Sequence, residues 1–276
     1  MSKLDVLAIG PHPDDVELAC GGTLALAARQ GRRVGILHLT RGERGTRGTP
    51  EQRLAEAEQA AAALGAVELA FLDCGDGALR HGEPEEEALI EVLRTWRPEL
   101  VLGPPRHDRH PDHERGHGLV AAAAFYSGLQ ARGSRAMAAH RPAAVFSYMQ
   151  HHTFVPSFVV DVTAAWEAKM AALAAYRSQL YQPGGGGGGD SGVTGASCGH
   201  GESRGQGISA EDGLAEDSRV GKGPATKVSS REFRLAVEGR ARHFGQLIGA
   251  ELGEPFWSPQ PLAVADLLAL LPGGPR

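Results

Sequence analysis

The sequence predicts an α/β fold: a Rossmann-like, mainly parallel sheet with helices on both faces, plus a Gly-rich insertion expected to be disordered. Three observations predict it. Short apolar runs alternate with Ala/Leu-rich stretches, the pattern of a parallel sheet covered by helices. Gly, Pro and capping residues punctuate the ends of the helical stretches. Composition then changes abruptly at Gly184.

The first apolar run, residues 4–9, reads as a buried strand. A helix follows over about 16–30, with Gly31 as its C-terminal stop. Gly21 and Gly22 are poor helix material, and their small size permits close approach of helix to sheet. Residues 34–39 form strand two. The loop 40–48 is rich in Gly and Arg, too polar for a core. Thr49-Pro50-Glu51-Gln52 supplies an N-cap, a proline at the first helical position and a capping-box Gln, so a helix spans 51–64 and ends at Gly65. Residues 67–72 form strand three. Pro84 opens an acidic helix start, which suits the positive end of the helix dipole, and Pro98 stops that helix after Trp96. Residues 100–103 are strand four. A helix over about 114–129, strands at 143–149 and 158–162, and a helix capped by Thr163 and reaching about Tyr181 follow. Residues 184–223 hold 15 glycines and no aromatic residue, too little apolar surface to offset the entropy of ordering. Ser229-Ser230-Arg231-Glu232 then reads as a capping box for a helix over about 230–250, and 262–271 as a short final helix. The expected organisation is a single domain over 1–276, with 184–223 as a low-complexity insertion.

With 42% hydrophobic and 22% charged residues and a net charge of −5, the composition is that of a soluble globular protein. No dense Lys/Arg run points to nucleic acid. No apolar run approaches the ~20 residues of a membrane span, and no signal-peptide pattern precedes the first strand. Cys20, Cys74 and Cys198 stand at no metal-ligand or disulfide spacing, so reduced thiols and a cytoplasmic location are expected. Asn is absent, which excludes N-glycosylation.

The chemistry sits in two turns. Pro11-His12-Pro13-Asp14-Asp15 follows strand one, and His107-Asp108-Arg109-His110-Pro111-Asp112-His113 follows strand four. In open parallel sheets, ligands bind beyond the carboxyl ends of the strands where strand order reverses. With the order three-two-one-four-five, strands one and four are neighbours at that reversal, so the two turns converge. Two His and one Asp suit a catalytic zinc and leave a position for water. One Asp and one His then remain, the first as general base and the second, as imidazolium, to stabilise the oxyanion and protonate the leaving amine. That inventory fits metal-assisted amide hydrolysis; spacing alone does not say which of Asp14 and Asp15 binds the metal. A single His-Pro-Asp is more often only a turn, since Pro and Asp favour turns. Two of them at adjacent strand ends make that reading hard to hold. Two His and a carboxylate also describe non-haem iron oxygenase sites, but the spare Asp fits hydrolysis better.

These residues resemble the LmbE/PIG-L family of zinc-dependent N-acetylglucosaminyl deacetylases. Thr40-Arg41-Gly42-Glu43, Gly45-Thr46-Arg47-Gly48-Thr49, residues 53–58, Tyr148-Met149-Gln150, residues 156–161 and Arg240-Ala241-Arg242 resemble its bacillithiol-biosynthesis branch, which removes acetate from N-acetylglucosaminyl malate. The resemblance implies His12, Asp15 and His113 as zinc ligands, Asp14 as general base, and His110 as the oxyanion-side acid oriented by Asp112. Arg53 and Arg109 are then candidates for the malate carboxylates, because guanidinium forks match carboxylates. Glu43 and Gln150 are candidates for sugar hydroxyls. His151 and His152 follow a strand end and could line the crevice, whereas His38, His81, His107 and His117 read as structural or solvent-facing. The resemblance also implies a small amino-sugar conjugate as the partner and a homo-oligomer, with a hexamer as one form. The same ligands would take iron, cobalt or manganese. Two other readings stay open: a deacetylase of another N-acetylglucosaminyl conjugate, of mycothiol or chitobiose type, and a non-catalytic Rossmann-like sugar- or nucleotide-binding protein. Against the latter, no G-x-G-x-x-G follows strand one.

Overall fold

A computed structural model describes residues 3–180, 224 and 226–265 of the chain. The 184–223 insertion, Tyr181 and residues 266–271 of the expected final helix lie outside the described residues. Residues 262–265 are described and are not helical.

Strands β1 (Val6–Gly10), β2 (Val34–His38), β3 (Glu68–Phe71), β4 (Leu100–Gly103) and β5 (Ala144–Tyr148) are parallel. Strand β6 (Phe158–Asp161) follows, and β7 (Gly253–Trp257) runs antiparallel to both β5 and β6. The sheet order is β3-β2-β1-β4-β5-β7-β6, so β1 and β4 are neighbours as the strand-order argument requires. The helices are α1 (Asp15–Arg29), α2 (Pro50–Leu64), α3 (Glu83–Trp96), α4 (Pro111–Tyr126), α5 (Trp166–Ala175) and α6 (Arg231–Leu247). Alternate strand residues face opposite cores. Ala8 and Ile36 join α1, α2 and α5 on one face, while Leu7, Ile9 and Leu37 join α3 and α4 on the other. Among the described residues no helix is long and apolar enough to cross a membrane.

Several elements differ from expectation for identifiable reasons. The capping box at Thr49 forms, with Gln52 N–H donating to Thr49 Oγ1 at 3.2 Å and Thr49 N–H to Gln52 Oε1 at 3.0 Å. Helix α4 starts at Pro111 rather than at 114, because His110 acts as its N-cap and Pro111 takes the first helical position. Helix α5 is shorter than expected: a 3₁₀ turn at Thr163–Ala165 precedes it, and the chain leaves helical geometry at Tyr176. Ser230 does cap α6, but through Phe233 N–H at 3.1 Å, not in a box with Glu232. Strand β7 was not anticipated, because Pro255 in a short run argues against a strand. It is accommodated because β5 pairs only with Trp257 and Phe256, leaving Pro255 beside β6 alone.

Helix α1 is broken at Cys20 (φ −137°, ψ 19°). Just beyond the break, a Cβ on Gly22 would lie 2.9 Å from Val162 Cβ, so only glycine permits this contact. The break leaves backbone groups without helical partners. Glu254 of β7 accepts from Gly22 N–H (3.0 Å), Thr23 N–H (2.7 Å) and the Thr23 hydroxyl (2.6 Å). Lys169 of α5 donates to Leu18 O at 3.0 Å and to Glu254 at 2.6 Å. Carboxylate and ammonium thus each cap the half-helix end whose dipole they complement. Both side chains are 2% exposed. Removing one partner strands a buried charge. Lys169→Met is therefore expected to destabilise the fold by about 3–5 kcal/mol in urea unfolding.

Candidate active site

The turn after β1 is built around strain. Asp14 has φ 101°, a conformation that L-residues with side chains avoid and that costs about 1–3 kcal/mol. It sits at the N-cap position of α1, yet its side chain makes no capping hydrogen bond. The carboxylate is buried, with the Arg53 guanidinium 3.8 Å away. Arg53 itself donates to Gly42 O (3.0 Å) and Pro13 O (2.8 Å). Its Nη1 lies 1.9 Å from where a Gly42 Cβ would stand, and Gly42 has φ +66°, so glycine is required there.

The turn after β4 meets this one. His12 Nδ1 lies 3.1 Å from Asp15 Oδ2, and His113 Nε2 lies 3.4 Å from Asp15 Oδ1. Each imidazole is held from its other nitrogen by a further carboxylate. His12 Nε2 faces Asp112 (3.3 Å) and Asp76 (3.2 Å), and His113 Nδ1 faces Asp108 (2.6 Å). The His110 ring lies 4.8 Å from that of His12 and 5.2 Å from that of His113. The structure thus brings together His12, Asp14, Asp15, His110, Asp112 and His113. The other four expected residues are placed differently. Arg53 is turned onto backbone carbonyls. Arg109 is exposed, and its guanidinium pairs with no described residue. Glu43 accepts from Asp76 N–H (2.8 Å) and Arg41 N–H (3.2 Å), which ties down the loop 40–48. Gln150 is 2% exposed and donates to Asp15 Oδ1. Asp112 also departs from expectation: its carboxylate reaches His12, not His110. His110 Nδ1 accepts the Asp112 backbone N–H at 3.2 Å instead.

Sequence reasoning missed Asp76 and Asp108. Asp76 lies between Gly75 (φ +93°) and Gly77 (φ +68°) in the turn beyond β3, and that glycine-flanked acid was the available signal. Asp108 is the more connected. Besides His113 it accepts from the backbone N–H groups of Arg109 (2.7 Å), His152 (3.0 Å) and His151 (3.3 Å). His151 stacks on His113 at 5.8 Å. His38 is fully buried beside Phe71, and burial lowers its pKa to about 3, so it is neutral.

The electrostatics follow from five buried carboxylates, Asp14, Asp15, Asp76, Asp108 and Asp112, gathered around His12 and His113. Burial alone would raise the Asp15 pKa, but His113 and His12 hold it well below the usual carboxylate range. Burial likewise opposes charge on the imidazoles, yet hydrogen bonds from Asp112, Asp15 and Asp76 raise His12 well above its ordinary value. Asp15 and Asp108 raise His113 to about 9 against the same opposition. Asp112 falls to about 2 through its bonds to His12 and Leu79 N–H, which outweigh burial. Asp14, with no hydrogen bond, is pushed up to about 7 by burial, with Arg53 pulling the other way. His110 is lowered by burial and by the charges on His12 and His113. Because its Nδ1 accepts a backbone N–H, the neutral ring carries its proton on Nε2.

This cluster demands positive charge, which protons on the rings or a divalent cation can supply. A cation fits the donor set. Two imidazoles each turn one nitrogen toward Asp15 and the other toward a further carboxylate, the arrangement that fixes metal-ligating histidines. The nitrogens of His12, His110 and His113 also lie within 4.8 Å of one another, as do donor atoms of His12, Asp76 and Asp112.

A mainly parallel sheet with a His/Asp cluster at its switch point is the architecture of a metal-dependent hydrolase. The family described as GlcNAc-PI de-N-acetylase (PIG-L) matches residues 7–124, which contain both turns. A conserved protein of Thermus thermophilus is 33% identical with a TM-score of 0.73, the match covering 96% of this chain and 98% of that one. The diacetylchitobiose deacetylase of Thermococcus kodakarensis is 31% identical over 186 residues, 63% of this chain and 70% of that protein. The 1D-myo-inositol 2-acetamido-2-deoxy-alpha-D-glucopyranoside deacetylase of Thermomonospora curvata is 28% identical over 246 residues, 65% of this chain and 82% of that protein. The chain belongs to the PIG-L family. It is a metal-dependent N-deacetylase, a hydrolase of amide bonds.

Two outcomes follow from this geometry. Asp14→Gly should relieve the φ 101° strain and raise the melting temperature by about 2–4 °C while turnover is lost, read by calorimetry and acetate release. Asp108→Asn should weaken metal binding by about 10- to 100-fold in competition with a chromogenic chelator.

Proposed function

We propose that this deacetylase uses zinc to hydrolyse the acetamide of N-acetyl-α-D-glucosaminyl L-malate, yielding glucosaminyl malate and acetate. The observation that carries the reading is the Asp15 carboxylate between His12 and His113, with the Asp14 carboxylate, free of hydrogen bonds, on the adjacent residue. His12, Asp15 and His113 would hold the ion, two imidazoles and a carboxylate being a set suited to catalytic zinc. When bound, the ion polarises the acetamide carbonyl and acidifies water. Asp14, pushed up to about 7 by burial, would stay ionised as a base beside a bound cation.

The remaining steps belong to side chains. Asp14 accepts a proton from the attacking water as the new C–O bond forms at the acetamide carbon. His110 donates a hydrogen bond from Nε2–H to the developing oxyanion. A neutral donor suits this position, since Nδ1 is occupied accepting the Asp112 backbone N–H and burial opposes a second proton on the ring. Asp14 then returns its proton to the nitrogen as the C–N bond breaks, releasing acetate and the free amine. Asp112 acts on His12 through its carboxylate and on His110 through its backbone N–H.

The malate aglycone rests on the likeness of the segments flanking both turns to the bacillithiol branch. Related deacetylases named for diacetylchitobiose and for an inositol glycoside supply the competing substrates. A cytoplasmic, homo-oligomeric enzyme, with a hexamer as one form, belongs to the same reading. Acetate release should be measured from the malate, inositol and chitobiose substrates, with and without a chelator. We expect the highest kcat/KM with the malate glycoside, loss of activity with chelator, and recovery with zinc. Equal rates on all three would overturn the malate assignment, and chelator-resistant turnover would overturn the metal site. Asp14→Ala should retain zinc and lose turnover by about 10²- to 10⁴-fold.

A further inference from the structure

Beside the metal cluster lies a cavity of about 710 Å³ whose lining includes Arg106, His107, His151, His152, Phe154 and Trp257. Its size is that of a pocket for a small organic ligand, ~300–1,000 Å³. It shares a wall with the cluster: the His151 ring lies parallel to that of His113, at 9° and 5.8 Å. The rim residues Arg106 and His107 lie on the loop that leads from β4 into the second turn, four and three residues before His110. No acidic side chain lines the cavity. His107 faces Glu114 at 3.4 Å on the outer side. Arg106 is exposed and makes no hydrogen bond or ion pair with a described residue, and the His152 ring likewise has no described partner. The His152 backbone is fixed by Asp108, the carboxylate that also holds His113. The distance between the cavity wall and the metal cluster is therefore set by one buried side chain.

We propose that this cavity is a carboxylate subsite for the substrate's aglycone, held by the Arg106 guanidinium and the His152 imidazole, with the pyranose against Trp257 and Phe154. This rests on the N-acetylglucosaminyl deacetylase reading above. A guanidinium without another partner matches a carboxylate bidentately. Of the two cations expected in this role, Arg109 is exposed and does not line the cavity, and Arg53 has donors committed to Gly42 O and Pro13 O and faces Asp14. An anion brought to Arg53 would have to displace those bonds and approach a buried carboxylate. An anion brought to Arg106 displaces no described partner.

The test uses the zinc-loaded full chain as wild type, Arg106→Ala, Arg106→Lys and His152→Ala. Each is assayed on N-acetylglucosaminyl L-malate, on the glycolate glycoside (one carboxylate) and on the methyl glycoside (none). The ratio of kcat/KM for each carboxylate-bearing substrate to that for the methyl glycoside is the readout. Arg106→Ala is expected to lower this ratio by about 10- to 100-fold, the worth of a charged hydrogen bond. His152→Ala should lower it less, and Arg106→Lys should restore part of the loss. An unchanged ratio, or an equal fall on all three substrates, would overturn the subsite. The substrate reading fails separately. If wild type favours glycolate over malate and Arg106→Ala still lowers both ratios, the subsite stands and malate is wrong. If malate is favoured and its ratio ignores Arg106, malate stands and the subsite is wrong.

Discussion

One carboxylate between two imidazoles organises this molecule. Asp15 lies at hydrogen-bond distance from His12 on its own turn and near His113 from a turn about a hundred residues away. The pairing is possible only because β1 and β4 are adjacent and parallel, so that their carboxyl ends open on the same side. Everything else at the site answers the charge problem that Asp15 poses. Its ionised state needs positive neighbours, the imidazoles supply them, and each imidazole is in turn steadied by a carboxylate of its own. The result is a buried polar network in which no member can be changed without unbalancing another.

Asp14 is the exception within that network, and the exception is what makes the site chemical. Its neighbours are all hydrogen-bonded, whereas its own carboxylate is held by strained backbone in a buried position, with no hydrogen bond and the Arg53 guanidinium 3.8 Å away. Backbone strain of this kind persists where the surroundings over-determine it. Here the surroundings are Arg53, which clamps the Pro13 carbonyl, and α1, which begins at the next residue. Arg53 is therefore part of the scaffold of the turn rather than a free ligand for substrate.

Much of this was legible in the sequence. Strand–helix alternation is a local pattern, and with the common strand order it put the first five strands in their observed order and the turn after β1 beside the turn after β4. Capping at Thr49 was legible because it depends on residues three apart. What was not legible depends on direction or on distant partners. Nothing local says that the Asp112 carboxylate turns to His12 rather than His110; that follows from His110 capping α4 with its own ring nitrogen. Asp76 arrives from beyond β3 in a turn flanked by Gly75 and Gly77, so only the folded loop reveals it. Strand β7 was hidden because proline is a poor strand signal, and its acceptability depends on β5 having already ended.

The broken helix α1 carries a consequence for assembly. Its first half holds Asp15, yet the carboxylate that caps the second half, on Glu254, comes 232 residues after Gly22. During synthesis the metal-site side chains are complete long before the strand that braces them. Contacts of such long range form slowly. Strand β7 acts as a latch: through Glu254 it closes the break in the helix that begins at Asp15.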